Sequence, residues 1–224
     1  PRSTQGVSSA ASDVYKRQVN EWFVFTDVID NKTCNKLKRL GSKKWESAAV
    51  DTKKDTTDEE RKKGREPEIG VDKKTRITDV AWTNDQWVYD VIWPFMMQAN
   101  AEAGWYYDIK SAESSQITRY KKGGFYSFHS DGAGCHMSKY NNPNNAFLHD
   151  NVRKLSMTVL LNESFEGGNF EFASYGKEDC IITPVEMKQG DIVVFPSSME
   201  HRVAPITKGI RYSLVTWFLG PPFR

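Results

Sequence analysis

The sequence predicts a mainly β fold, a sandwich or barrel flanked by helices, and three observations carry that prediction. From Trp105 onward, short β-branched and aromatic runs recur between Gly, Pro and Asn, as they do in chains of many short strands. Twelve Phe and seven Trp in 224 residues suit a β core around a lined pocket. Upstream, two stretches place apolar residues at helical spacing instead. A chain of this length can bury a substantial core. The net charge of +2 argues against a dedicated nucleic-acid surface. Cys34, Cys135 and Cys180 are scattered and odd in number, so no disulfide framework is expected and a reducing, cytoplasmic setting is. No run approaches the apolar length that spans a membrane, and no basic segment with an apolar core marks a secretion signal.

Residues 1–18 hold no usable pattern. The run from Val7 to Gln18 resembles translated adapter read-through, so 1–18 are expected to be an assembly scar or a disordered tail. Residues 19–224 are then one domain, with 19–110 as a helical and strand support and 111–220 as the β core. Glu21–Ile29 reads as a strand. Asp30 or Asn31 can cap a helix with Cys34, Leu37 and Leu40 on its apolar side, and Gly41 can stop it. Asp51–Arg65 mixes both charge signs and reads as a solvated loop. After a short strand at Asp79–Trp82, Asn84 is expected to cap a second helix. Its apolar side is Trp87, Val88, Val91, Ile92, Phe95, Met96 and Ala99, with a kink or break at Pro94 and an end at Gly104. The expected strands that follow are Trp105–Ile109, Ser115–Tyr120, Phe125–Asp131, Leu155–Leu161, Gly168–Phe172, Cys180–Thr183, Asp191–Phe195, His201–Ala204 and Arg211–Leu219. Gly123 and Gly124 suit a β-turn. The long Asn- and Gly-rich connection from Gly132 to Val152 has the character of a lid.

The chemistry-bearing pattern begins at Tyr120–Asp131, which ends in His129-x-Asp131. Residues i and i+2 of a strand share a face, so these side chains project together from backbone positions about 7 Å apart. One imidazole and one carboxylate make two-thirds of an open-sided facial metal site. A second imidazole, His201, opens a later strand, and Arg211-x-Ser213 follows on another.

With these residues in order, the sequence resembles the Fe(II)/2-oxoglutarate-dependent dioxygenases, in particular the prolyl-4-hydroxylase-like branch that includes the PKHD-type hydroxylases. The resemblance covers roughly residues 76–219. It rests on Tyr120-x-x-Gly-x-x-Tyr-x-x-His-x-Asp131, Gly167-Gly-x-Phe170, Gly190-Asp-x-x-x-Phe-Pro196 and His201-Arg-Val-x-Pro-x-x-x-Gly-x-Arg-Tyr-Ser213. It implies a double-stranded β-helix, the cupin-like jelly roll, with helix 84–103 packed outside the larger sheet. It also implies Fe(II) held by His129, Asp131 and His201, and 2-oxoglutarate held by Arg211, Tyr120 and Ser213. O2 is the oxidant, and ascorbate enters as a reductant. An Arg fork suits the distal carboxylate of the co-substrate. Tyr126, Cys135, His136, His149 and Trp217 are candidates for substrate or lid contacts, although plain loop exposure also accounts for the two histidines and core packing for Trp217. The implied reaction is hydroxylation of an unactivated C–H, on a prolyl residue of a peptide or protein or on a free amino acid. A nucleic-acid demethylase of the same superfamily would carry an Arg where this chain has Trp217. A halogenase would lack the carboxylate that Asp131 supplies. A non-catalytic jelly-roll binding module would not need the full ligand set.

Overall fold

Alternation along the long strands sets the architecture. In the computed structural model, which describes residues 20–42, 44–51, 69–132, 138–176 and 179–223, two antiparallel sheets face each other. The larger runs in the order Phe23–Phe25, Ile192–Pro196, Val152–Leu160, Arg211–Gly220, Ser115–Tyr120, Asp79–Thr83 and Glu46–Ser47, and Ser111–Ala112 also pairs with Arg211–Gly220. The smaller runs Cys180–Val185, Phe170–Tyr175, His201–Val203, Phe125–His129 and Arg76–Ile77. From Ser115 onward the chain crosses repeatedly between the two sheets, which makes the pair a double-stranded β-helix.

Each face of the larger sheet has its own partner. On one face Ile117, Leu155, Met157, Val159, Ile192, Val194, Leu214 and Phe218 join a single buried cluster with residues of two helices. Helix α1 (Asn31–Gly41) contributes Cys34 and Leu37, and helix α2 (Gln86–Glu102) contributes Val88, Ile92, Met96 and Ala99. The opposite face meets the smaller sheet through a second cluster, which includes Tyr120, Val193 and Phe195 from one side and Phe170, Phe172 and Val203 from the other. Apolar residues two apart on these strands thus serve the helices, and the intervening positions serve the space between the sheets.

The expected cap of the first helix is borne out, and several other local expectations need correction. Helix α1 is capped by Asp30, whose carboxylate accepts from the Thr33 amide at 2.8 Å. Helix α2 is capped at Asp85 rather than Asn84, and the Asn84 side chain instead accepts from the Tyr89 hydroxyl at 3.3 Å. Pro94 lies inside α2 without ending it. It sits on the exposed side, opposite buried Ile92, Met96 and Ala99, where water can serve the carbonyl that a proline leaves unpaired. Trp105–Ile109 forms no strand. The Asn100 side chain bonds both the amide and the carbonyl of Tyr107, each at 2.9 Å, and takes the place of a strand partner. The strand expected at Gly168–Phe172 starts instead at Phe170 and runs to Tyr175, and a separate short strand, Phe165–Gly167, precedes it. Gly167 and Gly168 turn the chain between them at φ +73° and +67°, and a Cβ at Gly167 would stand 2.5 Å from the Pro205 carbonyl. Asp51–Arg65 lies almost wholly outside the described residues, as do 1–18. Among the described residues no helix is long and apolar enough to cross a membrane.

Candidate metal and co-substrate site

His129 and His201 face each other directly across two paired strands of the smaller sheet. The pairing then slips: Val203 meets Tyr126, so one extra residue bulges on the Phe125–His129 side. The bulge brings the Tyr126 and His129 rings onto the same side, stacked with centroids 3.5 Å apart at 18°. Asp131 lies beyond the strand end, where its amide donates to the Ser197 carbonyl at 2.9 Å. Its place is therefore fixed by that bond rather than by the simple strand alternation the sequence suggests. One ligand atom from each of His129, Asp131 and His201 can be chosen so that all lie within 4.8 Å of one another. His129 Nε2 is 3.7 Å from Asp131 Oδ1, and His201 Nε2 is 3.6 Å from Asp131 Oδ2.

The surroundings set the charge states that a metal needs. His129 Nδ1 lies 2.8 Å from the Ser127 carbonyl, and His201 Nδ1 lies 2.9 Å from the Met199 carbonyl. A carbonyl can only accept, so each Nδ1 carries the proton and each Nε2 keeps its lone pair. Burial, with repulsion from His201, pulls the His129 pKa down to about 3. Burial would raise Asp131, but His201, His129, Arg153 and the Ser156 hydroxyl together outweigh it and hold the carboxyl at about 2. Ser156 Oγ donates to Asp131 Oδ2 at 2.7 Å and lies 2.9 Å from Ser197 Oγ. Arg153 reaches within 3.9 Å of Asp131 Oδ1 while its fork grips Glu113 at 2.6 and 2.7 Å. Glu113 also accepts from the Tyr140 hydroxyl at 2.7 Å. Two neutral imidazoles and one ionised carboxylate converging from one side are the donor set that suits Fe(II).

Arg211 lies on the face of the larger sheet that looks toward the smaller one. It is 2 % exposed and no carboxylate of the described residues pairs with it. Nη1 donates to Ser213 Oγ at 2.9 Å, and Ser213 Oγ lies 2.6 Å from Thr118 Oγ1. The guanidinium carbon is 5.9 Å from the ring centroid of buried Tyr120. Burial pulls the Arg211 pKa down to about 10, and Tyr120 opposes that fall. A buried cation served only by a hydroxyl is poorly compensated, and an entering carboxylate would correct this. A cavity of about 990 Å³ reaches Arg211, with Leu160, Phe165, Gly168 and Phe170 in its wall.

Residues 115–219 match the profile of the 2OG-Fe(II) oxygenase superfamily. That match covers just under half of the chain. The chain is 32 % identical over 105 residues to a PKHD-type hydroxylase of Xylella fastidiosa (strain M23), covering 46 % of this chain and 42 % of that protein. It is 36 % identical over 75 residues to a PKHD-type hydroxylase of Synechococcus sp. (strain CC9311), covering 33 % and 32 %. The match therefore spans less than half the length of either relative. Among solved structures, the viral collagen prolyl hydroxylase vCPH of Paramecium Bursaria Chlorella virus-1, in its 2OG complex, superposes with a TM-score of 0.57 at 18 % identity, over 90 % of this chain and 97 % of that one. A prolyl hydroxylase of Trichoplax adhaerens, solved with a hypoxia inducible factor peptide fragment, gives 0.62 at 14 % identity, over 94 % and 89 %. At these identities the structures establish the fold, the double-stranded β-helix. Oxygenases of this superfamily take Fe(II), 2-oxoglutarate and O2.

The candidate site gathers most of the residues picked out in the sequence. Tyr120, Arg211 and Ser213 cluster at one place, and His129, Asp131, His201 and Tyr126 at another. Trp217 is buried, with the Arg153 guanidinium 4.1 Å from its ring, and its Nε1 has no hydrogen-bond partner among the described residues. His149 bridges to Tyr140 in the long connection and lies 3.8 Å from Asp150, outside the metal-ligand cluster. Cys135 and His136 lie outside the described residues. Sequence reasoning missed Arg76, Glu113, Tyr140, Arg153 and Ser156. Arg153 and Ser156 lie in a strand that also carries Lys154 and Thr158, so their polarity alone gave only a weak signal. Nothing in the sequence joins Arg153 to Glu113, forty positions away.

Proposed function

We propose that this protein is an Fe(II)- and 2-oxoglutarate-dependent hydroxylase of an unactivated C–H, acting on a prolyl residue of a peptide or protein or on a free amino acid. One observation carries the reading: three metal-suited donors converge at one place, and between the same two sheets lies a buried guanidinium that no carboxylate of the described residues pairs with. His129, Asp131 and His201 hold the iron. Bound together, iron, 2-oxoglutarate and O2 supply an oxidant that replaces C–H by C–OH, while the co-substrate leaves as succinate and CO2. The Ser127 and Met199 carbonyls accept from the imidazole Nδ1 atoms, which fixes the ring orientations and turns each Nε2 toward the metal position. Ser156 and Arg153 keep Asp131 ionised and oriented. Arg211 takes the distal carboxylate of the co-substrate in its fork, Ser213 and Thr118 brace the guanidinium, and Tyr120 adds a hydroxyl beside it. Tyr126 and Trp217 flank the place where a substrate would stand, and the prolyl hydroxylase names of the structural neighbours favour a proline-like ring there. The same reading treats residues 19–224 as one catalytic unit, with ascorbate as a reductant. It places the protein in the cytoplasm, where the free thiols Cys34 and Cys180 stay reduced.

The test is O2-dependent conversion of 2-oxoglutarate to succinate by the purified protein with Fe(II), alone and with prolyl peptides and amino acids. Turnover that one class of substrate stimulates is the expected result. Absence of both turnover and Fe(II) affinity would leave a non-catalytic jelly-roll module.

A further inference from the structure

Three partly buried arginines each hold a carboxylate: Arg119 with Asp79 at 2.7 Å, Arg153 with Glu113 at 2.6 Å and Arg202 with Glu171 at 2.7 Å. Two arginines are buried more deeply, Arg76 at 7 % and Arg211 at 2 % exposure. Among the described residues neither has a carboxylate. Arg211 is accounted for by the co-substrate. Arg76 is not. Its Nη2 donates to the neutral Gln116 Oε1 at 2.7 Å, and its buried Nε has no hydrogen-bond partner among the described residues. Its guanidinium carbon lies 4.4 Å from the centroid of the Tyr126 ring, and that ring stacks on His129 at 3.5 Å. The unmet charge therefore stands one aromatic ring away from a metal ligand. Gln116, which holds it, shares a cross-strand row of the larger sheet with Trp82 and Val215.

Contact with an aromatic face offsets only part of what a guanidinium loses when it leaves water. Polar atoms at this depth without partners are uncommon in folded proteins. The position of Arg76 suits an anion that arrives together with the substrate. We propose that the substrate carries a carboxylate close to the hydroxylated carbon and that Arg76 receives it, so that Arg76 sets substrate specificity as Arg211 sets co-substrate binding. The α-carboxylate of a free amino acid or of a C-terminal residue is one source, and an acidic side chain beside the target residue is the other. A single residue spans about 3.5 Å, so either source keeps the anion and the reacting carbon within one residue of each other. This inference rests on the hydroxylase reading above.

The experiment compares stimulated succinate release by matched pairs of probes. The pairs are L-amino acids against their amides, peptides ending in each residue as acids against C-terminal amides, and internal-proline peptides with flanking Glu against flanking Gln. The carboxylate member of at least one pair is expected to exceed its partner by about tenfold or more in kcat/KM. Which pair responds assigns the source. In Arg76→Gln that ratio is expected to fall toward one, and Arg76→Lys, which keeps the charge, is expected to retain part of it. A purely structural role for Arg76 would lower both members of a pair alike and leave the ratio intact, which would overturn the proposal. So would ratios near one for every pair in the unsubstituted protein, a result that needs no variant to fold. Release of succinate with no probe stimulating it counts against the proposal alone. No release under any condition counts against the hydroxylase reading itself.

Discussion

Along Arg211–Gly220, neighbouring side chains enter two different environments. Leu214 and Phe218 turn to the helices and join an apolar cluster. Arg211 and Ser213 turn toward the smaller sheet and are as fully buried, yet polar. The same holds on Val152–Leu160, where Leu155 and Met157 face the helices while Ser156 faces Asp131. On Ser115–Tyr120, Ile117 faces the helices and Thr118 faces Ser213. One sheet thus carries its stability on one side and its chemistry on the other, and the period of two keeps them apart. Burial alone does not distinguish the two sides. What each side chain meets does.

The comparison can be broken most sharply at the metal ligands. His129→Ala or His201→Ala leaves two donors, and Fe(II) affinity and turnover are expected to fall by more than the roughly 100-fold that outer-shell changes cause. Calorimetric titration with metal under anaerobic conditions reads the affinity. The metal-free protein should unfold near its usual temperature, since neither ring belongs to the helix-facing cluster. A large loss of metal-free stability would show that the inner face also holds the fold together. The outer face should behave in the opposite way. Phe218→Ala removes a ring with no exposed surface and is expected to cost about 3–5 kcal/mol in chemical denaturation. Folded molecules of that variant should retain kcat and the KM for 2-oxoglutarate.

Arg211→Met sharpens the contrast because its two effects have opposite signs. The KM for 2-oxoglutarate should rise about 10- to 100-fold, as expected when a charge-assisted hydrogen bond to a carboxylate is lost, with little change in metal affinity. The thermal midpoint without co-substrate should hold or rise, since a buried cation lacking a carboxylate is replaced by an apolar chain of similar length. A fall in stability like that of Phe218→Ala would mean that Arg211 is primarily a packing residue.

The outer face was largely legible in the sequence and the inner face only in part. The helix-facing residues follow simple periods, so the helices, most long strands and their packing could be read directly. The ligand trio was legible through its residue types and order. Its geometry was not, because a bulge between His129 and Tyr126 and a backbone bond from Asp131 to Ser197 override the alternation that would otherwise pair them. Arg76 and Glu113 were invisible for a related reason. Each lies at a strand start or in a connection, where periodicity assigns no face, and each meets its partner only across the fold. The misplaced strand at Trp105–Ile109 has the same origin. Its residues have strand character, but the Asn100 side chain occupies the backbone groups a neighbouring strand would need.

Ser156→Ala gives the smallest expected effect and the finest test of how separate the two faces are. The hydroxyl donates to Asp131 Oδ2 at 2.7 Å and contacts Ser197 Oγ at 2.9 Å. Its loss leaves Asp131 held by neighbouring charges but free to rotate, so metal affinity should fall about tenfold. Stability should change by about 1 kcal/mol, the net worth of an ordinary hydrogen bond. Leu155→Ala, the adjacent residue on the same strand, provides the control. It faces the helices and should cost about 2–5 kcal/mol of stability without altering metal affinity in the folded fraction. Comparable losses of metal affinity in both variants would show that strain crosses the sheet from one face to the other. A loss confined to Ser156→Ala would place the control of Asp131 in one hydroxyl rather than in the packing behind it.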